Sequence, residues 1–249
     1  MCFDMVSFFD STFLKTKEES SFSEEEYLSH IQSFVMEAID YKFKLVMIRA
    51  NYIVFAKEII SKNNSNVLVG TVIDFPDGIS STNSKLDEIK IAINLGADDI
   101  DVVVDYIRFK QGDYDYIVDQ VKKCTDLCFL HNKTIKWIIE SAALSEIEII
   151  DLCKLIRNVV LNNFNENYFQ NIFIKSSTGY YKCPNSKPNG ATVSAIKLMV
   201  KNSFPLPVKA SGGVRSVKDF NQMINLGVKR IGTSSALSIL KSKQSYSNY

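Results

Sequence analysis

Two lysines close short apolar runs, and each leads into a turn of small residues. Lys175 ends Asn171-Ile-Phe-Ile-Lys175 and precedes Ser176-Ser-Thr-Gly179, while Lys209 ends Pro205-Leu-Pro-Val-Lys209 and precedes Ala210-Ser-Gly-Gly213. Lysine is almost never buried without a partner. Held in a low-dielectric site beside a second cation, its amine sheds its proton near neutral pH and attacks carbonyl carbon. The pair therefore points to Schiff-base chemistry. Other apolar runs also end in groups suited to a site: Asp10 and Thr12 after the first, and Asp101 within Ile100-Asp-Val-Val-Val104. Lys136 and Glu140 share one face of residues 134–140 by period-two alternation. Asp101 is suited to move protons between water and a bound substrate. The competing reading is a satisfied ionic cluster filling the interior. Two such lysines, each with a small-residue turn, favour chemistry over that filler role.

The turns themselves suggest a second subsite. Ser211-Gly-Gly-Val-Arg215 and Gly232-Thr-Ser-Ser235 follow the last two apolar runs, and Ser176-Ser-Thr-Gly179 adds further donors. Glycine-rich turns ahead of helix N-termini present backbone N–H groups to an anion, and many barrels bind phosphate there. A phosphorylated substrate follows.

Groups of these types must be brought together by the elements that carry them. Strand-like runs occur at residues 5–9, 44–48, 67–73, 99–104, 134–140, 171–175, 206–210 and 229–232. Helical patterns alternate with them. One opens at Ser23-Glu-Glu-Glu26 like a capping box, with Tyr27, Ile31, Phe34, Val35 and Ala38 at helical spacing. The others cover about residues 51–61, 84–95, 114–130, 145–162, 191–201, 217–226 and 234–241. Eight strand–helix pairs in this length predict an α/β fold, a closed (β/α)8 TIM barrel in a single domain. The barrel is expected to span residues 1–241, with a flexible polar tail at 242–249. The Asn-rich stretch at 162–167 reads as a loop insertion. No Gly-x-Gly-x-x-Gly follows the first strand, which argues against dinucleotide binding.

Composition narrows the partners. A formal net charge of +1 gives no electrostatic reason to expect nucleic acid or an anionic membrane. No apolar stretch approaches the roughly 20 residues that cross a bilayer, and the first ten residues carry Asp4 and Asp10 without a basic leader. Five cysteines in no paired spacing predict free thiols in a reducing compartment, the cytoplasm. Cys124 and Cys128 lie one helical turn apart. With only two histidines in the chain, a packed helix face explains them better than a metal clip.

Across these segments the chain resembles the deoxyribose-phosphate aldolases, a family of class I aldolases. The segments are Asp10-Ser-Thr-Phe-Leu-Lys15, Gly70-Thr-Val-Ile-Asp-Phe-Pro-Asp-Gly78, Gly96-Ala-Asp-Asp-Ile-Asp-Val-Val-Val104, Lys136-Trp-Ile-Ile-Glu140, Phe173-Ile-Lys-Ser-Ser-Thr-Gly179, Val208-Lys-Ala-Ser-Gly-Gly-Val-Arg215 and Arg230-Ile-Gly-Thr-Ser-Ser235. The resemblance implies that Lys175 forms the Schiff base, that Lys209 lowers its pKa and passes protons, and that Asp101 is the relay. It implies a pocket lined by Asp10, Thr12, Lys136, Thr178 and, from the tail, Tyr249. Gly179, Gly212, Gly213, Gly232, Ser234 and Ser235 match the phosphate-binding turns. The implied reaction is reversible cleavage of 2-deoxy-D-ribose 5-phosphate to D-glyceraldehyde 3-phosphate and acetaldehyde, with no metal or other cofactor. The implied partners are these small molecules and further copies of the chain, as a homodimer or higher homo-oligomer. Leu45-Val-Met-Ile-Arg49 and Asp105-Tyr-Ile-Arg108 depart from the usual family residues. Two alternatives stay open: another Schiff-base phosphosugar aldolase, and a non-catalytic phosphosugar-binding barrel.

Overall fold

Nearly every strand residue is buried, because helices cover the outside of the sheet and side chains fill the inside. The computed structural model describes residues 4–183 and 189–247. In chain order the first half comprises β1 (Phe9–Thr12), the short α1 (Lys17–Ser20), α2 (Glu24–Asp40), β2 (Leu45–Met47), α3 (Ile53–Lys62), β3 (Leu68–Ile73), α4 (Thr82–Asn94) and β4 (Asp99–Val103). The short α5 (Tyr106–Lys110), α6 (Tyr114–Leu130), β5 (Thr134–Ile138), α7 (Glu146–Asn163) and β6 (Ile172–Lys175) come next. The chain closes with α8 (Val193–Ser203), β7 (Val208–Ser211), α9 (Val217–Asn225), β8 (Arg230–Thr233) and α10 (Ala236–Ser247). The eight strands pair in sequence order, all parallel, and β8 returns to β1, so the (β/α)8 barrel is closed.

Alternation along the strands sorts residues between two cores. Phe9, Val46, Ile48, Ile100, Val102, Trp137, Ile174 and Ile231 face outward into the main hydrophobic core, which Ile31, Val35, Ile89, Val121, Ile156 and Ile196 supply from the helices. The inward alternates divide the barrel in two. On the β2–β3 side, Leu14, Leu45, Met47 and Val72 form a separate apolar cluster, with Phe75 and Tyr180 packed against it. The remaining strands, β1 with Asp10 among them, turn charged side chains inward.

The helix starts follow their local sequences. Ser23 Oγ accepts from the Glu26 N–H while Glu26 answers at the Ser23 N–H, which is the capping box read from the sequence. Ser145 with Glu148 and Ser216 with Asp219 repeat the device.

Four segments differ from expectation. Residues Met5–Phe8 form a 3-10 turn, closed by the Ser7 N–H and hydroxyl on the Asp4 carbonyl, so the first strand begins at Phe9 and takes Asp10 and Thr12 into itself. The fifth strand ends at Ile138, because Glu140 adopts a left-handed backbone at φ 47°. The Asn-rich stretch is not a free loop. The α7 helix runs through Asn163, and a 3-10 helix, Glu166–Asn171, follows on the buried ring of Phe169. At the other end α10 continues past Lys241 to Ser247. Among the described residues no helix is long and apolar enough to cross a membrane.

Candidate active site

Strand register brings the two lysines side by side. Lys175, at the end of β6, pairs directly with Lys209 on β7. Lys209 pairs in turn with Arg230 on β8, and Asp101 on β4 pairs with Lys136 on β5. All of these point into the barrel, where they meet Asp10 and Asp99 in one buried network.

The contacts are close. Lys175 Nζ and Lys209 Nζ both bond to a single oxygen, Asp101 Oδ2, at 2.9 and 2.8 Å, so the two nitrogens are neighbours. Lys209 Nζ also meets Asp10 Oδ2 at 2.6 Å, as an ion pair without the angle of a hydrogen bond. Lys136 Nζ lies 2.9 Å from Asp101 Oδ1, 2.7 Å from Asp99 and 3.5 Å from Asp10. The Arg230 guanidinium grips Asp10 Oδ1 with Nε at 2.6 Å and with a second nitrogen, and reaches Asp99 at 3.3 Å. Four cations thus face three carboxylates, and fully ionised the cluster carries one positive charge in excess.

Which group sheds that charge follows from its partners. Arginine stays protonated in proteins. Lys136 touches three carboxylates and Lys209 two, whereas Lys175 has a share of one oxygen. Burial first, and then the Lys209 charge, push the Lys175 amine down from 10.5 to about 8, against the pull of Asp101. Lys136 goes the other way: burial disfavours its charge, but Asp101, Asp99 and Asp10 together hold it above the ordinary lysine value. Burial would likewise raise Asp101, yet Lys136, Lys175 and Lys209 hold it well below the carboxylate range. At neutral pH Lys175 is therefore richer in free amine than an ordinary lysine.

Burial alone does not make such an amine. Lys85 on α4 is fully buried too, and burial lowers its pKa. Its ammonium, however, donates to the carbonyls of Gly78 at 2.9 Å and Val103 at 2.5 Å and pairs with Asp74 at 3.2 Å. It is a tie for the loop after β3, with its donors taken up.

The remaining site residues fall in two groups. Thr12 Oγ1 donates back to the Asp10 carbonyl at 2.8 Å. Thr178 is held by Glu140, whose carboxylate accepts from the Thr178 N–H at 3.0 Å, from the Thr178 hydroxyl, and from Ser177 Oγ at 2.6 Å. Glu140 therefore shapes the turn after β6 instead of sharing the ionic face of Lys136. Gly212 and Gly213 have φ of 88° and 82°, a backbone that favours glycine at both positions. Among the described residues the N–H groups of Gly212, Gly213 and Ser234 have no acceptor. Gly179, Gly213 and Ser234 are exposed at the mouth. Tyr249 lies outside the described residues.

Gly232 is not in a turn. It lies within β8, and a Cβ there would stand 2.9 Å from Ser211 Oγ and 3.0 Å from Lys209 Cε, so its missing side chain makes room for the second lysine.

Sequence reasoning passed over Asp99, Arg230 and Gly190. The first was legible in the Asp99-Ile-Asp101 alternation, which puts both carboxylates on one face. Arg230 opens β8 instead of closing an apolar run, so the strand-end signal that marked Lys209 did not reach it. Gly190 abuts Gly212, whose backbone atoms lie 2.7 Å from where its Cβ would be. Nothing local in the sequence announces that contact. Tyr180, directly beyond the Lys175 turn, packs on the apolar cluster on the β2–β3 side, with its ring edge-on to Phe75 at 5.1 Å.

Known proteins resemble this chain over nearly its full length. The chain is 34% identical over 247 residues to the deoxyribose-phosphate aldolase of Mycoplasmopsis pulmonis, covering 99% of this chain and all of that one. It is 36% identical over 241 residues to the corresponding enzyme of Staphylococcus epidermidis, covering 96% and 97%. The structure superposes on the tetrameric deoxyribose phosphate aldolase of Aeropyrum pernix with a TM-score of 0.79 and 27% identity, across 98% of this chain and 92% of that one. The model of the DeoC/LacD family of aldolases matches residues 9–244, which takes in every strand of the barrel and its whole buried network; to that family of enzymes this chain belongs.

Proposed function

We propose that the protein reversibly cleaves 2-deoxy-D-ribose 5-phosphate to D-glyceraldehyde 3-phosphate and acetaldehyde through a Schiff base on Lys175. The observation that carries this reading is the position of the Lys175 amine as the least-paired cation of a buried, positively overcharged cluster. Its neutral form attacks C1 of the open-chain sugar, and the carbinolamine loses water to give an iminium. The iminium withdraws electrons as the C3 hydroxyl loses its proton. Acetaldehyde takes two carbons, so the C2–C3 bond breaks and leaves an enamine on the lysine. Protonation at C2 and hydrolysis then free acetaldehyde. Asp101 stays an anion in the free protein. The mobile protons therefore travel through Lys209, with Asp101 orienting both ammonium groups. The apolar side of the barrel, Leu45, Met47 and Val72, faces the lysines and keeps the site poor in water.

The sugar phosphate fits the N–H groups of Gly212, Gly213 and Ser234, which have no acceptor among the described residues, beside Gly179 and Ser235. Ser234→Pro removes one donor and should raise KM for the phosphorylated sugar about tenfold while changing kcat little, in steady-state assays. Gly232→Ala should act differently, lowering kcat with KM nearly constant because its methyl displaces Lys209; unfolding in urea should show a cost of roughly 1–3 kcal/mol.

The names of the relatives support the substrate, and the tetrameric Aeropyrum relative supports assembly of this chain into a homodimer or larger ring of copies, which light scattering would measure. The deciding experiment is borohydride reduction in the presence of deoxyribose 5-phosphate, followed by peptide mass mapping. An adduct on the Lys175 peptide is the expected result. Absence of both adduct and acetaldehyde would favour a non-catalytic barrel, and adducts with other sugar phosphates alone would favour a different aldolase.

A further inference from the structure

We propose that Arg230 is the positioning residue that makes Lys175 the amine to lose its proton, because its permanent charge leaves the closed cluster one cation over its carboxylates. This rests on the Schiff-base reading of Lys175, and extends it to a residue two strands away, the register partner of Lys209. Arg230 is the first residue of β8, and its guanidinium reaches inward to Asp10 and Asp99. It makes no contact with Lys175 among the described residues. Its influence runs along a chain of shared oxygens: Arg230 to Asp10, Asp10 to Lys209, Lys209 to Asp101, and Asp101 to Lys175.

Each carboxylate is taken up on both sides of that chain. Without Arg230, three carboxylates would face three lysines, and every lysine would keep its proton at no electrostatic cost to the cluster. With it, one positive charge has no counterion in a space where Asp10, Asp101, Lys136 and Lys209 are almost fully excluded from solvent. An unpaired buried charge is costly, and neutralising a lysine is the cheapest way to remove it. Among the described residues, the charged groups around Lys175 are these. Lys209 and Asp101 touch it or its partner oxygen, and Lys136, Asp10, Asp99 and Arg230 lie behind them. The apolar residues Leu45, Met47 and Val72 face it from β2 and β3. The Glu140 carboxylate at the end of β5 is engaged by Ser177 and Thr178. The surplus is therefore a property of charge number, and any substitution that restores or doubles it should move Lys175 in a stated direction.

The test uses Arg230→Gln, Asp99→Asn and the double variant, in the full-length protein with folding checked by circular dichroism. The readout is the pH dependence of Lys175 carbamylation by cyanate, which reacts with the neutral amine only, followed by peptide mass mapping. It does not require aldolase activity. Arg230→Gln removes the surplus and should shift the Lys175 midpoint upward by roughly one pH unit, the worth of a unit charge in a cluster of effective dielectric near 20. Asp99→Asn doubles the surplus and should shift it downward. The double variant has the original surplus and should return to within a few tenths of a unit of wild type. Shifts of both single variants in the same direction, or a double variant that keeps either shift, would overturn the proposal. If Arg230→Gln fails to fold, the downward shift of Asp99→Asn decides alone, and its absence sinks the idea. Normal cyanate shifts with no borohydride adduct in wild type would leave the charge arithmetic standing and remove only the Schiff-base reading.

Discussion

Lys175→Met should yield a barrel at least as stable as wild type that has lost aldolase activity on the order of 10^5-fold, the scale seen when an enzyme's covalent nucleophile is deleted. The two effects have opposite signs for one reason. On the proposed mechanism, the side chain that carries the surplus charge is also the one that attacks carbon. Its removal leaves three cations on three carboxylates, and methionine fills its volume without a charge. Thermal unfolding and an acetaldehyde-coupled assay read the two effects separately. A variant that unfolds several degrees early, or one that keeps a trappable imine elsewhere with wild-type turnover, would contradict the assignment.

Lys209→Met should lower kcat by roughly 10^2- to 10^4-fold, the usual contribution of a positioned general acid–base group. It should also move the acid limb of kcat/KM upward. The sign follows from the Lys175 shift. Its folded value, about 8, lies below the ordinary 10.5, and Lys209 is the largest neighbouring charge that lowers it. Without that charge the amine holds its proton to higher pH, so the neutral fraction at pH 7 falls. High pH should restore the nucleophile but not the proton carrier, so kcat stays depressed on the alkaline side. Arg230→Gln should recover there instead. Full recovery of the Lys209 variant at alkaline pH would mean that the residue tunes its neighbour and carries no proton.

Much of the fold was legible because alternation is a local signal. Runs such as Val67 to Ile73 and Asp99 to Val103 carry β-branched residues between turn signals, and the helices between them open with side-chain caps. The ends of strands were less legible. Nothing in Met5-Val-Ser-Phe8 prevents an extended chain; the 3-10 turn there depends on the Asp4 carbonyl receiving two donors from Ser7. Glu140 continued a period-two pattern on paper, and three hydrogen bonds from the next loop turned it out of the strand. In the site, the paired lysines and Asp101 could be named from their strand-end positions. Their neighbours could not be ranked, because the balance of a buried network depends on which carboxylates each cation reaches across the barrel. Arg230 and Asp10 are separated by 220 residues in the chain and meet only because β8 closes on β1.

The division of the barrel interior into an ionic side and an apolar side separates two tasks that many enzymes must trade against each other. Leu14, Leu45, Met47 and Val72 carry no charge of their own, and on the proposed mechanism they form the wall that an aldehyde's carbon skeleton meets. On that reading, reshaping the wall, for instance by trimming Met47, should alter which chain lengths fit without adding or removing a charge on the ionic side. New carbon–carbon couplings can therefore evolve here through ordinary hydrophobic swaps, with no need to rebuild the machinery that activates the amine.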